Sequence, residues 1–248
     1  MIAITGMHRS GTSCVTGLLV KCGLSLGTRY PLMNVPARDN AKGHFENLGA
    51  LAINDTILRY AGGNWAQPPS PSAIEQVGSR FAPHFEKFST TFDGDLFKDP
   101  RTCLTMSLWE RHCPNLDAVV LCVRNPIGVA GSLKRRNRLP VEIGVKLWYE
   151  YNLRVIEGAK GLPVFVVDYD NLGRDLEFEL SSLLSELGVD LDAGAMRERV
   201  AGFYSAELNH DISRKLHLDL LPEDARRLYE IILSQSYARR FEQKTAVA

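Results

Sequence analysis

The chain has 248 residues, 45% hydrophobic and 23% charged, with 29 basic and 29 acidic residues and a formal net charge of zero. The apolar fraction excludes a disordered chain, and the neutral balance offers no global field for DNA, RNA or an acidic membrane. The length suits a single domain, no apolar run approaches the ~18 residues of a transmembrane helix, and the N-terminus has no secretory pattern, so a cytoplasmic protein is expected.

In chain order, Met1 to Thr5 reads as a short apolar strand followed by a glycine-bearing turn from Gly6 to Gly11. Val15, Leu18, Leu19 and Cys22 then mark one face of a helix. Residues 23–46 read as a long loop, and a loop of that length in a compact domain points to function. Asn47 to Ala61 is predicted helical, residues 62–72 are loop, residues 73–89 are helical, and Leu96 to Lys98 is a strand cut by Pro100. A helix follows to about His112. Ala118 to Val123 is an apolar run of buried-strand length, and Pro126 opens a helix where proline is tolerated. Residues 141–158 form a longer helix and Pro163 to Val167 another strand. Leu172, Leu176, Leu180, Leu183 and Leu187 predict one helix ended by Gly188, and residues 193–203 and 223–237 are predicted helical.

Strands alternating with helices imply βαβ units and a parallel sheet, and ligands on such sheets bind beyond the carboxyl ends of the strands. The residues to interrogate are therefore 6–13, 98–101, 124–126 and 168–170. Gly6-Met7-His8-Arg9-Ser10-Gly11-Thr12-Ser13 has the length and placement of a P-loop, in which glycines let backbone N–H groups converge on a phosphate at a helix N-terminus. The expected architecture is a three-layer α/β, P-loop-like fold with a central parallel sheet flanked by helices. A triphosphate loop carries Lys after its second glycine; here that position is Thr12, and the cation comes earlier, at Arg9. The second apolar strand ends in Arg124, not in a Walker B aspartate.

His8-Arg9-Ser10-Gly11-Thr12-Ser13 resembles the 5′-phosphosulfate loop of sulfotransferases that use 3′-phosphoadenosine 5′-phosphosulfate (PAPS), with Arg9 in the place of the catalytic cation. Arg124-Asn125-Pro126, with Ser132 eight positions after Arg124, resembles that family's 3′-phosphate site. Phe97-Lys98-Asp99-Pro100-Arg101, Gly43-His44-Phe45-Glu46-Asn47 and Val166-Val167-Asp168-Tyr169-Asp170-Asn171-Leu172 resemble further family segments, the last making Asp168 and Asp170 structural or capping residues. The resemblance covers residues 1–188, points to the bacterial and carbohydrate-type branches, and leaves 189–248 as a helical C-terminal extension of one domain.

The resemblance implies PAPS as donor, adenosine 3′,5′-bisphosphate as product, no required metal, and an acceptor hydroxyl, foremost on a carbohydrate. The donor would be bound by His8, Arg9, Ser10, Gly11, Thr12, Ser13, Arg124 and Ser132. Arg9 would neutralise the bridging oxygen, Lys98 would reach the same centre from the adjacent strand end, and Glu46 would be the general base, with His44, His8 and Asp99 as alternatives. Acceptor specificity is expected from residues 27–45, 62–72 and 141–158, where Trp65, Trp148, Tyr149 and Tyr151 could stack on a sugar or phenol or be core. His210 and His217 are expected to be surface or packing residues.

Two rival readings stand beside this one: a P-loop kinase or nucleotide hydrolase, and a non-catalytic nucleotide-binding module in which Glu46 and Lys98 would face solvent away from Arg9. Nucleic-acid binding would rest on Lys134, Arg135, Arg136 and Arg138, a cluster simpler to read as a solvated helix end. The five cysteines form no CxxC pair and read as free thiols in a reducing compartment, and no metal site is expected. The zero net charge conceals segregation. No acid precedes Asp39 and none lies between Asp117 and Glu142, the two stretches that hold the proposed phosphate sites, whereas residues 168–198 carry nine acids against Arg174 and Arg197.

Overall fold

The computed structural model describes residues 1–33, 43–203 and 218–236. Strands β1 (Ile2–Thr5), β2 (Leu96–Lys98), β3 (Ala118–Val123) and β4 (Val164–Asp168) form one parallel sheet in the order β2-β1-β3-β4. Ala3 stands opposite Phe97 on one side and Val119 on the other, and Leu121 opposite Val166. The N-terminal ammonium pairs with Asp117.

The helices of the described residues are α1 (Thr12–Lys21), α2 (Leu48–Tyr60), α3 (Pro71–Gly78), α4 (Ala82–Thr91), α5 (Thr102–His112), α6 (Pro126–Asn137), α7 (Val141–Gly158), α8 (Tyr169–Leu172), α9 (Leu176–Glu186), α10 (Ala193–Val200) and α11 (Glu223–Ser236). Alternate strand residues divide them into two layers, because successive side chains of a strand point to opposite faces. Ala3, Phe97, Val119, Leu121, Val123, Val164 and Val166 pack with Ile57, Phe88, Trp109, Trp148, Val155 and Ile232, from α2, α4, α5, α7 and α11. Ile4, Leu96, Val120, Cys122, Phe165 and Val167 pack with Val15, Leu18, Leu19, Leu183 and Met196, from α1, α9 and α10. Both faces are covered, which is why the strands read as unbroken apolar runs instead of alternating ones. The result is the three-layer α/β arrangement expected from the sequence. The segments after residue 188 add to both layers: α10 packs with α1, and α11 with β4 and α7.

Two elements depart from expectation. The predicted helix through Leu172 and Leu187 is broken at Gly173–Asp175. Asp168 accepts the Asp170 N–H at 3.0 Å to cap α8, and Asp175 accepts the Phe178 N–H at 3.1 Å to start α9. Two side-chain caps seven residues apart, at Asp168 and Asp175, compete with one continuous helix, while Leu172, Leu180 and Leu183 still reach one core. The predicted helix over 73–89 is likewise divided, by a 3-10 turn at Ser79–Phe81 and by Pro83, which sits in the first turn of α4. Residues 34–42 of the long loop, and His210 and His217, lie outside the described residues.

Asp168 closes β4 and is 3% exposed. Burial, and then the neighbouring Asp170 carboxylate, push its pKa up to about 6. The folded protein therefore holds a proton that the unfolded chain has lost, and this group makes stability fall as pH rises from about 4 to about 6. Asp168→Asn keeps the capping oxygen and removes the titration. Urea unfolding should show the variant more stable than wild type at pH 7, by roughly 2 kcal/mol, with the difference vanishing near pH 4.

Candidate active site

Segments 6–13, 98–101 and 124–125 and the start of α8 meet beyond the carboxyl end of the sheet. The loop from Gly6 to Gly11 is pressed between two neighbours. A Cβ on Gly6 (φ 143°) would lie 2.3 Å from the Cys122 carbonyl oxygen, and one on Gly11 (φ 85°) 2.0 Å from the Tyr169 ring. Between them Arg9 adopts φ 76°, a conformation that costs a non-glycine residue of the order of 1 kcal/mol. Ser10 is fully buried and its hydroxyl has no partner among the described residues. Thr12 opens α1 and is buried, and the next hydroxyl, Ser13 Oγ, donates to the His44 carbonyl at 3.0 Å.

Arg9 Nε donates to Ser132 Oγ at 2.8 Å, across 123 residues of sequence. Arg124 stands beside this contact. Its guanidinium carbon lies 5.5 Å from the centre of the Tyr169 ring, the ring that presses on Gly11, and its Nε lies 3.7 Å from Asp170 Oδ1. Asp170 also accepts the Asn125 N–H at 2.8 Å, and the Asn125 side chain caps α6 at the Ile127 N–H. Gly128 lies against this side chain, where a Cβ would come to 3.3 Å from the Arg124 Nε. Trp148, which is core and not an exposed stacking surface, donates its indole N–H to the Arg124 carbonyl at 2.9 Å. Asp168 is a cap, as expected, whereas Asp170 holds the turn that carries Arg124.

The third group is a buried cluster of charges. Lys98, 2% exposed, donates to Glu46 Oε1 and to the His44 carbonyl, both at 3.0 Å, and lies 3.4 Å from Ser13 Oγ. Glu46 Oε2 lies 3.5 Å from Arg101 Nη1, which also holds Asp99 Oδ1 at 2.8 Å. Asp99 Oδ2 accepts from Asn54 Nδ2 at 2.8 Å, and Asn54 Oδ1 in turn accepts from Thr105 and Trp109. Phe45, just before Glu46, has φ 56°, a second strained position that aims the loop inward.

These neighbours decide the protonation states. Burial alone would raise the Glu46 pKa, but Lys98, His8 and Arg101 together bring it down to about 2. Burial lowers Lys98, with Glu46 opposing, and raises Asp99, with Arg101 opposing. Asp99 serves the network behind the cluster. His8 is brought down to about 3, first by burial and then by Arg101, with Lys98 and Arg136 adding to it. Its Nε2 is buried without a partner among the described residues, and its ring lies 4.8 Å from Trp65 and 6.1 Å from Tyr151. Tyr151 is core and donates to the Trp65 carbonyl at 2.8 Å.

The structure thus brings together the three residues expected to be catalytic and the eight expected to hold the donor. Arg101, in the Phe97–Arg101 segment, has no role on sequence grounds alone. The signal available was its place three positions after Lys98, on the turn that leaves β2. Asn54 and Tyr169 were not singled out either, because their importance lies in contacts across 45 and more residues. Among the described residues, no group of three or more His, Cys, Asp or Glu could hold a metal ion.

No protein-family model matches the chain, and no curated protein sequence does. Solved structures do. The sulfotransferase domain from the Synechococcus PCC 7002 olefin synthase superposes with a TM-score of 0.57 at 17% identity, over 94% of this chain and 94% of that one. The sulfotransferase domain from the curacin biosynthetic pathway superposes with a TM-score of 0.55 at 14% identity, over 93% of this chain and 96% of that one. At these identities the likeness is one of fold, and the chain has the α/β fold of sulfotransferase domains.

Glu46 ionises with a pKa of about 2 in the folded protein against 4.5 for an ordinary glutamate. Its pairing stabilises the fold above about pH 4.5 and is lost as pH falls toward 2. Glu46→Gln leaves Lys98 buried beside a neutral amide, so it should cost about 3 kcal/mol at pH 7. Denaturant unfolding at a series of pH values should show that deficit shrinking as wild type loses the pair below about pH 4.

Proposed function

We propose that this chain is a PAPS-dependent sulfotransferase that transfers the sulfuryl group to an acceptor hydroxyl. The observation that carries the reading is the 2.8 Å contact between Arg9 Nε and Ser132 Oγ. It joins the first-loop motif to the later Arg-x-Pro and serine motif, which the sequence relates only by resemblance. The fit to a nucleotide with phosphates at both ends rests on Arg9 and Arg124 at one sheet edge, on glycines whose Cβ positions are filled, and on the buried Ser10 hydroxyl, unpartnered among the described residues.

In this reading Ser10, Thr12, Ser13 and the start of α1 hold the 5′ end of the donor, and Arg124 and Ser132 the 3′-phosphate, with Gly11 and His8 shaping the loop. The donor supplies a sulfuryl group on a good leaving phosphate. The acceptor oxygen forms a bond to sulfur as the bond from sulfur to the bridging oxygen breaks. Glu46 takes the acceptor's proton, Lys98 faces the transferring oxygens, and Arg9 neutralises the charge left on adenosine 3′,5′-bisphosphate. No metal is assigned a part.

A non-catalytic module is disfavoured because Glu46 and Lys98 are buried and Lys98 reaches the first loop at Ser13. A kinase is disfavoured by Thr12 in the place of the phosphate-binding lysine. A carbohydrate acceptor rests on the sequence resemblance alone. The similar structures, from an olefin synthase and from curacin biosynthesis, add nothing for it. Five free cysteines suit a reducing cytoplasm. No helix among the described residues is long and apolar enough to cross a membrane.

Calorimetry without metal should show adenosine 3′,5′-bisphosphate binding tightly, and ADP and ATP binding weakly. Equal or better binding of Mg-ATP would overturn the reading. Glu46→Gln should lower kcat about 10²- to 10⁴-fold with the bisphosphate affinity unchanged, and unaltered turnover would remove Glu46 from the role of base.

A further inference from the structure

Lys98 stands between two sites. Its ammonium donates to Glu46 Oε1 at 3.0 Å, and it lies 3.4 Å from Ser13 Oγ in the first turn of α1, the turn that faces the proposed donor. The other oxygen of Glu46 is differently held. It lies 3.5 Å from Arg101 Nη1, which is anchored at 2.8 Å by Asp99, and Asp99 is tied at 2.8 Å to the buried Asn54. One cation on Glu46 therefore belongs to a fixed network, and the other sits on a flexible four-carbon stem. The charged and titratable groups that face Glu46 are Lys98 from β2, Arg101 before α5 and His8 from the first loop, with Asp99 behind Arg101. With both oxygens on cations, Glu46 is a poor proton acceptor in the free protein.

We propose that Lys98 and Arg101 make the reaction donor-first: the donor's sulfonate draws Lys98 off Glu46, Arg101 keeps the carboxylate in place, and the base is released only in the donor complex. This rests on the sulfuryl-transfer reading. No covalent bond changes in the step, and Lys98 stays protonated as it exchanges one anionic partner for another. Once Lys98 has moved, the burial that was outweighed in the free protein acts to make Glu46 more basic, and the donor's own negative charge acts in the same direction. Arg101 acts through Glu46 and not on the substrate, so it is a positioning residue.

The test is a carbon-13 NMR titration of the Glu46 carboxyl in the full chain labelled at glutamate, with the resonance assigned by Glu46→Gln. It is read in the free protein, with adenosine 3′,5′-bisphosphate, and with PAPS in the absence of acceptor. The midpoint should rise by about one pH unit or more with PAPS and by much less with the bisphosphate, which lacks the sulfonate. In Lys98→Met the midpoint should already be raised in the free protein, whereas Lys98→Arg should keep it low. An unchanged wild-type midpoint with PAPS bound would overturn the proposal and leave the sulfuryl-transfer reading standing, and so would a low midpoint in Lys98→Met. Failure of both nucleotides to bind would overturn that reading itself, and the proposal with it.

Discussion

Lys98 and Glu46 are charges almost without access to water, 2% and 5% exposed, and the site is organised by the need to compensate them. An unpaired buried charge costs several kcal/mol, so each ion in this cluster requires its counter-ion in place. Lys98 comes from the end of β2, Glu46 from the far end of the long loop, and Arg101 and Asp99 from the turn between β2 and α5. Lys98 and Arg101 both meet Glu46 inside the wall of the site, and Asp99 holds Arg101 in turn. The loop therefore returns to the sheet at a defined point. The strained φ of Phe45 and the Asn47 cap on α2, which accepts from Gly49 and Ala50, hold that return from either side.

The same logic runs across the sheet edge to the second cation group. Arg9 is bound to Ser132 of α6, Arg124 lies over Tyr169 of α8, and Tyr169 fills the space that a side chain on Gly11 would need. Contacts from β3, α6 and α8 thus converge on one loop. A loop that had to organise itself around a ligand would lose affinity to ordering entropy, whereas this one, clamped by Cys122, Tyr169 and Ser132, is organised beforehand. The strain at Arg9 is tolerated because that clamping over-determines the backbone.

Burial and pairing act in opposite directions within a few ångströms of each other, which gives the cluster its range of protonation behaviour. Glu46 and Asp99 are both buried carboxylates, both near Arg101. Glu46 is driven to the ionised form by three cationic or ionisable neighbours, while burial wins at Asp99 and raises its pKa. The imidazole of His8 is kept neutral first by burial and then by the cations that hold Glu46 ionised, so the two groups cannot be exchanged in an account of proton movement. The environment separates groups that composition alone would treat as equivalent.

The strands, most helices and the three-layer α/β class were legible in the sequence, because a parallel sheet covered on both faces requires apolar runs such as Ala118 to Val123 and because turn residues punctuate them. The glycine-bearing loop after β1 and the turn that carries Arg124 stood out as local motifs too, and the fold brings both to one sheet edge; that they hold phosphate is the reading proposed for them. The break at Gly173–Asp175 was not, because leucine spacing records which side chains face the core and not whether the backbone between them is continuous. Nor was the role of Arg101, the pairing of Lys98 with Glu46 across 52 residues, or the bond from Arg9 to Ser132 across 123. A local pattern encodes what a segment can do with its own backbone. Which charge meets which is decided by the sheet order and by the cost of leaving any of them buried alone, and only the tertiary structure contains those two facts.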